Sequence, residues 1–128
     1  MSELELAMVT LVIPDYDQAI DHYCGELGFT LVEDRQLAPD KRWVVVAPGP
    51  GARLLLALAN GSEQAAAIGK QTGGRVGFFL HTTDFETTIR SLSGARVTFL
   101  ESPRDEHYGR VVVFADRNGN RWDLIEPR

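Results

Sequence analysis

The residues able to do chemistry in this sequence are few, and their spacing speaks for binding rather than bond-breaking. Three histidines (His22, His81, His107) and one cysteine (Cys24) carry no metal-ligand spacing. There is no Gly-x-Ser-x-Gly elbow, no phosphate loop and no Gly-x-Gly-x-x-Gly following a strand; Gly49-Pro50-Gly51 reads as a turn. No nucleophile stands beside a base. Arg121 and Asp123 lie two apart in an apolar run, so they share one face of a strand. A mutual salt bridge and a contact to a ligand are both open for them. The polar run from Glu101 to Gly109 is bounded by Pro103 and Gly109 and contains His107 and Tyr108. It reads as a loop, either a lid or a solvated connection. His81 reads as hydrogen-bonded at a strand end and His22 as exposed in mid-helix. Cys24 reads as a buried structural thiol with no disulfide partner.

Composition bounds the setting for these residues. The chain has 128 residues, 44% of them hydrophobic and 24% charged, which is ample for one domain with its own core. A net charge of −5 without any Lys/Arg cluster repels a phosphate backbone, so nucleic acid is not an expected partner. No basic-then-apolar leader opens the chain and no apolar run reaches the ~18 residues of a membrane span. A cytoplasmic protein without a membrane role is expected.

The elements that must position these side chains come as one plan stated twice. Leu6 to Ile13 is strand-like and stops at Pro14. Asp15 then caps a helix in which Ala19, Ile20, Tyr23 and Leu27 recur at helical spacing, and Gly28 ends it. Strands follow at 30–35, 43–47 and 53–59, separated by Pro/Gly turns. A polar linker over about 61–74 holds a short helix at 63–68. The second half repeats the order: a strand at 75–81, a helix capped by Asp84 and stopped by Gly94, then strands at 97–100, 110–115 and 121–126. Asp15-Tyr16-Asp17-Gln18-Ala19-Ile20 matches Asp84-Phe85-Glu86-Thr87-Thr88-Ile89 at an offset of 69. Gly51-Ala52-Arg53 matches Gly119-Asn120-Arg121 at an offset of 68, and Arg42 then falls on Arg110. A nearly constant offset across helix and strands indicates duplication of a whole module. The chain is therefore read as a single α/β (α+β) domain of two tandem βαβββ modules, about 4–60 and 75–128.

The modules carry a family resemblance along nearly the whole chain. Val12-Ile13-Pro14-Asp15, His22-Tyr23 and Leu27-Gly28-Phe29 resemble the opening motif of the vicinal oxygen chelate superfamily. That group includes glyoxalase I, bleomycin-resistance proteins and extradiol dioxygenases. Phe114-Ala115-Asp116-Arg117-Asn118-Gly119-Asn120-Arg121-Trp122-Asp123-Leu124 resembles its closing motif, with Arg117 where proline is usual. The resemblance implies sheets that form a half-open cup, with helices on the convex side. Alternation then sends Val9, Leu11, Ile13, Phe78, Leu80, Trp122 and Leu124 to the helices. Met8, Thr10, Val12, Gly77, Phe79, His81, Arg121 and Asp123 face the cup.

Metal-dependent members of such a family ligate from the first and last strands of each module, which here means Met8, Leu55, Gly77 and Asp123. Of these only Asp123 offers a lone pair to a divalent metal, so the usual site is broken. His81 with Asp123 is the weaker relocated alternative. The expected ligand-binding set is Met8, Thr10, Phe79, His81, Tyr108, Arg121 and Asp123, with no cofactor and no assigned catalytic residue. The function expected is binding of a small molecule, as in the glyoxalase/bleomycin-resistance type. Two alternatives stand beside it: a lyase, isomerase or dioxygenase with a relocated metal, and an interaction module without ligand. Proteins of this kind commonly pair, so a homodimer is expected. In Ser2-Glu3-Leu4-Glu5 two readings are open, that the acids face water while Leu4 packs or that they protect the strand edge, and Ala65-Ala66-Ala67-Ile68 is the apolar patch singled out for contact.

Overall fold

Alternating apolar strands joined by capped helices give two open mixed sheets, as the computed structural model shows for residues 2–128. The chain divides into two compact units, one ending at Ala65 and the other spanning Ala66–Arg128. The first holds β1 (Met8–Ile13), α1 (Tyr16–Ile20), β2 (Thr30–Ala38), β3 (Lys41–Ala47) and β4 (Arg53–Leu58). Its sheet has the order β1-β4-β3-β2, with β1 parallel to β4 and the other pairs antiparallel. α2 (Ser62–Ala67) carries the chain into the second unit. There β5 (Val76–His81), α3 (Phe85–Ser93), β6 (Thr98–Phe99), β7 (Arg104–Glu106), β8 (Gly109–Ala115) and β9 (Arg121–Pro127) repeat the plan. The second sheet runs β5-β9-β8-β6, and β7 also pairs with β8.

The helix starts follow from their caps. Asp15 accepts the Gln18 N–H at 2.8 Å, and Asp84 accepts the Thr87 N–H at 3.1 Å. Each helix is then tied to its sheet by the same arginine clamp. Arg42 lies over the Tyr16 ring at 5.2 Å and donates to Asp17 at 2.8 Å. Its duplicate Arg110 lies over the Phe85 ring at 5.1 Å and donates to Glu86 at 2.8 Å. The core of the first unit is Leu11, Ile13, Val44, Val46 and Leu56 with Ala19 and Tyr23, all fully buried. In the second unit Trp122 is flanked by stacked Phe78 and Phe114, with Leu124 beside it.

The closing motif acts through one carboxylate. Asp116 is buried and accepts from the Asn118 and Asn120 backbone N–H groups, the Asn120 amide and the Trp122 indole at 2.9 Å. It thereby closes the β8–β9 turn, where Gly119 takes a positive φ of 99°. Gly69 packs so close to that turn that a β-carbon would run into the Asn118 carbonyl.

Several expectations change. The first helix is α-helical only to Ile20 and widens to π-type winding over Asp21–Glu26, with the Leu27 N–H reaching the His22 carbonyl at 2.9 Å. His22 is consequently buried, at 1% exposure, rather than exposed; its Nδ1 lies 2.7 Å from Glu26 Oε1 one turn on. The 101–109 run is not a loop but a hairpin of β7 with β8. The Glu101 carboxylate takes the Val113 N–H at 2.9 Å and so interrupts the edge strand between β6 and β7. Leu4, which precedes β1, is fully exposed and does not pack. Among the described residues no helix is long and apolar enough to cross a membrane.

Asp116→Ala should therefore destabilise the protein by about 3 kcal/mol or more, because several buried donors each lose a partner worth ~1–3 kcal/mol when left unmet. Urea unfolding checks this, and Asp116→Asn, which keeps an acceptor, should lose less.

Candidate functional site

The site in the first unit arises where two strands part. β3 and β4 are paired from Val46–Leu54 to Val44–Leu56, and there the ladder ends. β3 nevertheless starts at Lys41 and β4 continues to Leu58. The opening residues of β3 stay with β2 instead, Trp43 opposite Arg35 and Arg42 opposite Gln36. Between the diverging arms lies a cavity of about 500 Å³. Tyr16, Arg42 and Trp43 line one side, Leu55 and Leu58 the other, with Gln64 among the remaining lining residues. The volume is that of ordinary small-molecule pockets, and two aromatic rings with leucines are ordinary walls for one. Arg42 is not a spare charge: Asp34 takes its Nε and Nη2 at 3.1 and 2.7 Å, and Asp17 its Nη1. Lys41 stands exposed beside the cavity.

The second unit gathers a different set on the sheet face turned away from Trp122. Across the strands Phe79, Asp123 and Val113 form one row, and His81, Ile125, Val111 and Arg104 the next. Asp123 is only 8% exposed, and its Oδ1 has no hydrogen-bond partner. Burial pushes its carboxyl above the usual carboxylate range; Arg104 pulls it back and Glu101 adds to the rise. Arg104 itself is held by Glu101 at 3.1 Å, Glu106 at 2.6 Å and a side-chain bond to Tyr108. Phe79 is 63% and Tyr108 42% exposed.

The expected site residues thus fall in separate groups. Met8, Thr10 and Leu55 lie in the first unit, with Thr10 beside Leu55, and of these only Leu55 lines the cavity. Phe79 sits next to Asp123, and His81 sits one row on, exposed. Gly77 occupies a register shift of β5 between Val76 and Phe78. Arg121 is exposed at the start of β9, and among the described residues no ion pair joins it to Asp123. Arg104 is the cation whose charge acts on that carboxylate.

Arg104, Glu101, Tyr16 and Trp43 escaped the reading of the sequence as site residues. The repeat held the signal for the first pair: Glu101 and Arg104 recapitulate Glu33 and Arg35, which also pair, at 3.5 Å. For Trp43 the surrounding strand is apolar on both faces, so its phase was not legible.

The metal that the resemblance implies does not fit these residues. The first unit offers a thioether at Met8 and an isobutyl group at Leu55; the second offers Gly77 and one buried carboxyl with a raised pKa. No group of three His, Cys, Asp or Glu side chains is placed to hold a metal ion among the described residues. Cys24 is half-buried, and burial pushes its thiol further up, away from a reactive thiolate.

The pH dependence follows from Asp123. A carboxyl whose folded pKa lies above its unfolded value of about 3.9 binds more protons when folded, so stability falls as pH rises through that window. Asp123→Asn removes the cost, and should raise the melting temperature at pH 7 but give no pH-linked gain below about pH 3.5. Melting curves of both proteins across pH 3–8 measure it.

Comparison with known proteins agrees with this architecture. Residues 5–124 match the model of the Glyoxalase/Bleomycin resistance protein/Dioxygenase superfamily. An uncharacterized protein of Shewanella frigidimarina (strain NCIMB 400) is 46% identical over 121 residues, 92% of this chain and 90% of the relative. A crystal structure of a glyoxalase/bleomycin resistance protein/dioxygenase superfamily member from Sphaerobacter thermophilus DSM 20745 superposes with a TM-score of 0.75 at 30% identity, covering 97% of this chain and 98% of the other. TnmS3, an antibiotic binding protein from Streptomyces sp. CB03234, gives 0.77 at 26% identity, covering 100% and 99%. With a duplicated module, the closing turn built on Asp116 and a family match across both units, the chain belongs to the glyoxalase/bleomycin resistance protein/dioxygenase superfamily.

Proposed function

We propose that this protein binds a small, mainly apolar molecule without using the family's metal, in the manner of the superfamily's antibiotic-binding members. The observation that carries the reading is the cavity of about 500 Å³ walled by Tyr16, Trp43 and the β4 leucines. A half-open space of that size, with aromatic and leucine walls and polar groups at Arg42, Asn60 and Gln64, has the mix of surfaces that holds a small molecule. The donor set argues in the same direction, because chemistry by Lewis-acid polarisation needs ligands that Met8, Leu55 and Gly77 do not supply. Likeness to TnmS3 adds the class of ligand: that neighbour is an antibiotic binding protein.

Assembly as a homodimer belongs to the same reading. β2 is the edge strand of its sheet and leaves Leu31, Val32 and Leu37 exposed on either side of the polar Glu33–Gln36 stretch, so apolar contacts at its two ends are open to a second copy. Sedimentation over a range of concentrations is expected to show a dimer, with a charged residue at Leu37 shifting it to monomer.

Trp43 provides the ligand assay. The other tryptophan, Trp122, is buried with its indole N–H committed to Asp116, so ligand-dependent fluorescence change reports on Trp43. Screening apolar antibiotics and aromatic metabolites should yield a compound that quenches Trp43. Trp43→Ala should weaken its binding about tenfold, equivalent to ~1.4 kcal/mol. Affinity should be the same for chelator-treated protein and for protein supplied with nickel, zinc, manganese or iron(II). Stoichiometric metal binding that Asp123→Asn and His81→Ala abolish would replace this reading with a relocated-metal enzyme.

A further inference from the structure

We propose that the β3–β4 fork is itself the recognition element, a short open strand edge that takes a flat molecule carrying a neighbouring N–H and C=O, such as a lactam or cyclic imide. The inference rests on the ligand-binding reading above and adds the chemical class of the ligand.

The argument begins with which way Leu58 points. Within β4 the N–H groups of Arg53 and Ala59 go to β1, to the carbonyls of Ala7 and Ile13 at 3.0 and 2.9 Å. Backbone groups alternate between the two edges of a strand, so the N–H and C=O of Leu58 point the opposite way, toward β3. The β3 ladder ends at Leu56, so these two groups meet the cavity that Leu58 lines. The residue that would have paired with Leu58 is Arg42, whose N–H goes instead to the Tyr16 hydroxyl at 3.2 Å.

The second module shows that the fork is not dictated by the fold. Arg110 duplicates Arg42, Glu126 duplicates Leu58 and Phe85 duplicates Tyr16. There the ladder runs unbroken, with Arg110 opposite Glu126 and Val111 opposite Ile125. The arginine clamp recurs in both modules as a ring beneath the guanidinium and an acid beside it, Asp17 in the first and Glu86 in the second, and Asp34 holds Arg42 as well. The difference that reaches the backbone N–H of the arginine is the hydroxyl that Tyr16 has and Phe85 lacks. A phenol oxygen that accepts the Arg42 N–H takes the place of the Leu58 carbonyl, and leaves that carbonyl and its N–H to something else.

An unmet backbone pair beside aromatic and leucine walls selects its occupant. A ligand that displaces water from such a pair must reproduce its hydrogen bonds or lose affinity. A lactam does so with one acceptor for the Leu58 N–H and one donor for the Leu58 C=O. Its flat ring then lies among Tyr16, Trp43 and Leu55. The Tyr16 hydroxyl, accepting from Arg42, keeps its own proton to donate to a second ligand oxygen.

The test uses the full chain, quinolin-2-one as probe and N-methylquinolin-2-one as its donor-less twin of nearly the same shape. Quinolin-2-one should raise the melting temperature of the natural protein, and the N-methyl compound should bind at least tenfold more weakly. Tyr16→Phe gives the first module the ring of the second, so it should fold. It should let Arg42 pair with Leu58, slow the exchange of the Leu58 amide at least tenfold by NMR, and lose the probe. Equal binding of both probes, or full probe binding by Tyr16→Phe, overturns the proposal, and so does a Leu58 amide that is already slow in the natural protein. If quinolin-2-one fails to bind while another compound quenches Trp43, the lactam class falls and the ligand-binding reading survives. If nothing quenches Trp43 although Leu58 slows in Tyr16→Phe, the fork is real but both ligand readings fall.

Discussion

One arginine per module fixes where each helix meets its sheet, and the rest of the architecture is arranged around that clamp. Arg42 and Arg110 each sit over the ring at the first position of a helix and donate to the acid that follows it. Stacking and charge-assisted hydrogen bonding act on the same guanidinium, so its plane and direction are both set. The helix start is held from its other side by Asp15 or Asp84. With both ends of the first turn fixed, the apolar stripe of the helix has one way to face the sheet. Ala19, Tyr23 and Phe85 lie buried.

That clamp is also where the copies diverge, and the divergence is small in atoms and large in consequence. A tyrosine hydroxyl competes with a strand carbonyl for one N–H group. Net hydrogen-bond energies are about 1 kcal/mol, so exchanging one acceptor for another costs little in stability. It nevertheless decides whether two strands stay zipped. The module with Phe85 keeps a seven-pair ladder from Gly109–Pro127 to Ala115–Arg121, whereas the module with Tyr16 keeps three. Ligand sites often come from such local exceptions to a regular fold, because a fully satisfied sheet has nothing left to offer a visitor.

Much of the fold was legible in the sequence for the same reason that it is stable. Caps, Gly stops and alternating apolar residues act locally, and the repeat supplied a second reading of each. The Asp15 and Asp84 caps, the faces of Leu11, Ile13, Trp122 and Leu124, and the pairing of Arg42 with Arg110 could all be read that way. What escaped depended on interactions distant in sequence or on energy balances without a pattern. The π-type winding that buries His22 leaves no periodic mark. The hairpin of β7 with β8 was hidden by its own polarity: Glu101 and Glu106 both pair with Arg104, and in a bare sequence the run looks like a solvated loop. Trp43 lies in a strand apolar on both faces, so alternation could not phase it.

The charge at Asp123 follows from the same kind of accounting. In a module built to hold a metal, a carboxylate at this position is balanced by the ion. Here the neighbours are Phe79, Val113 and a nearly neutralised Arg104, and Oδ1 has no partner. Burial then makes its charge costly and raises its pKa. Once Met8, Leu55 and Gly77 stand at the other positions, Arg104 is the cation whose charge acts on the remaining carboxylate. The polar chemistry that is left for binding lies where the backbone is open, at the parting of β3 from β4.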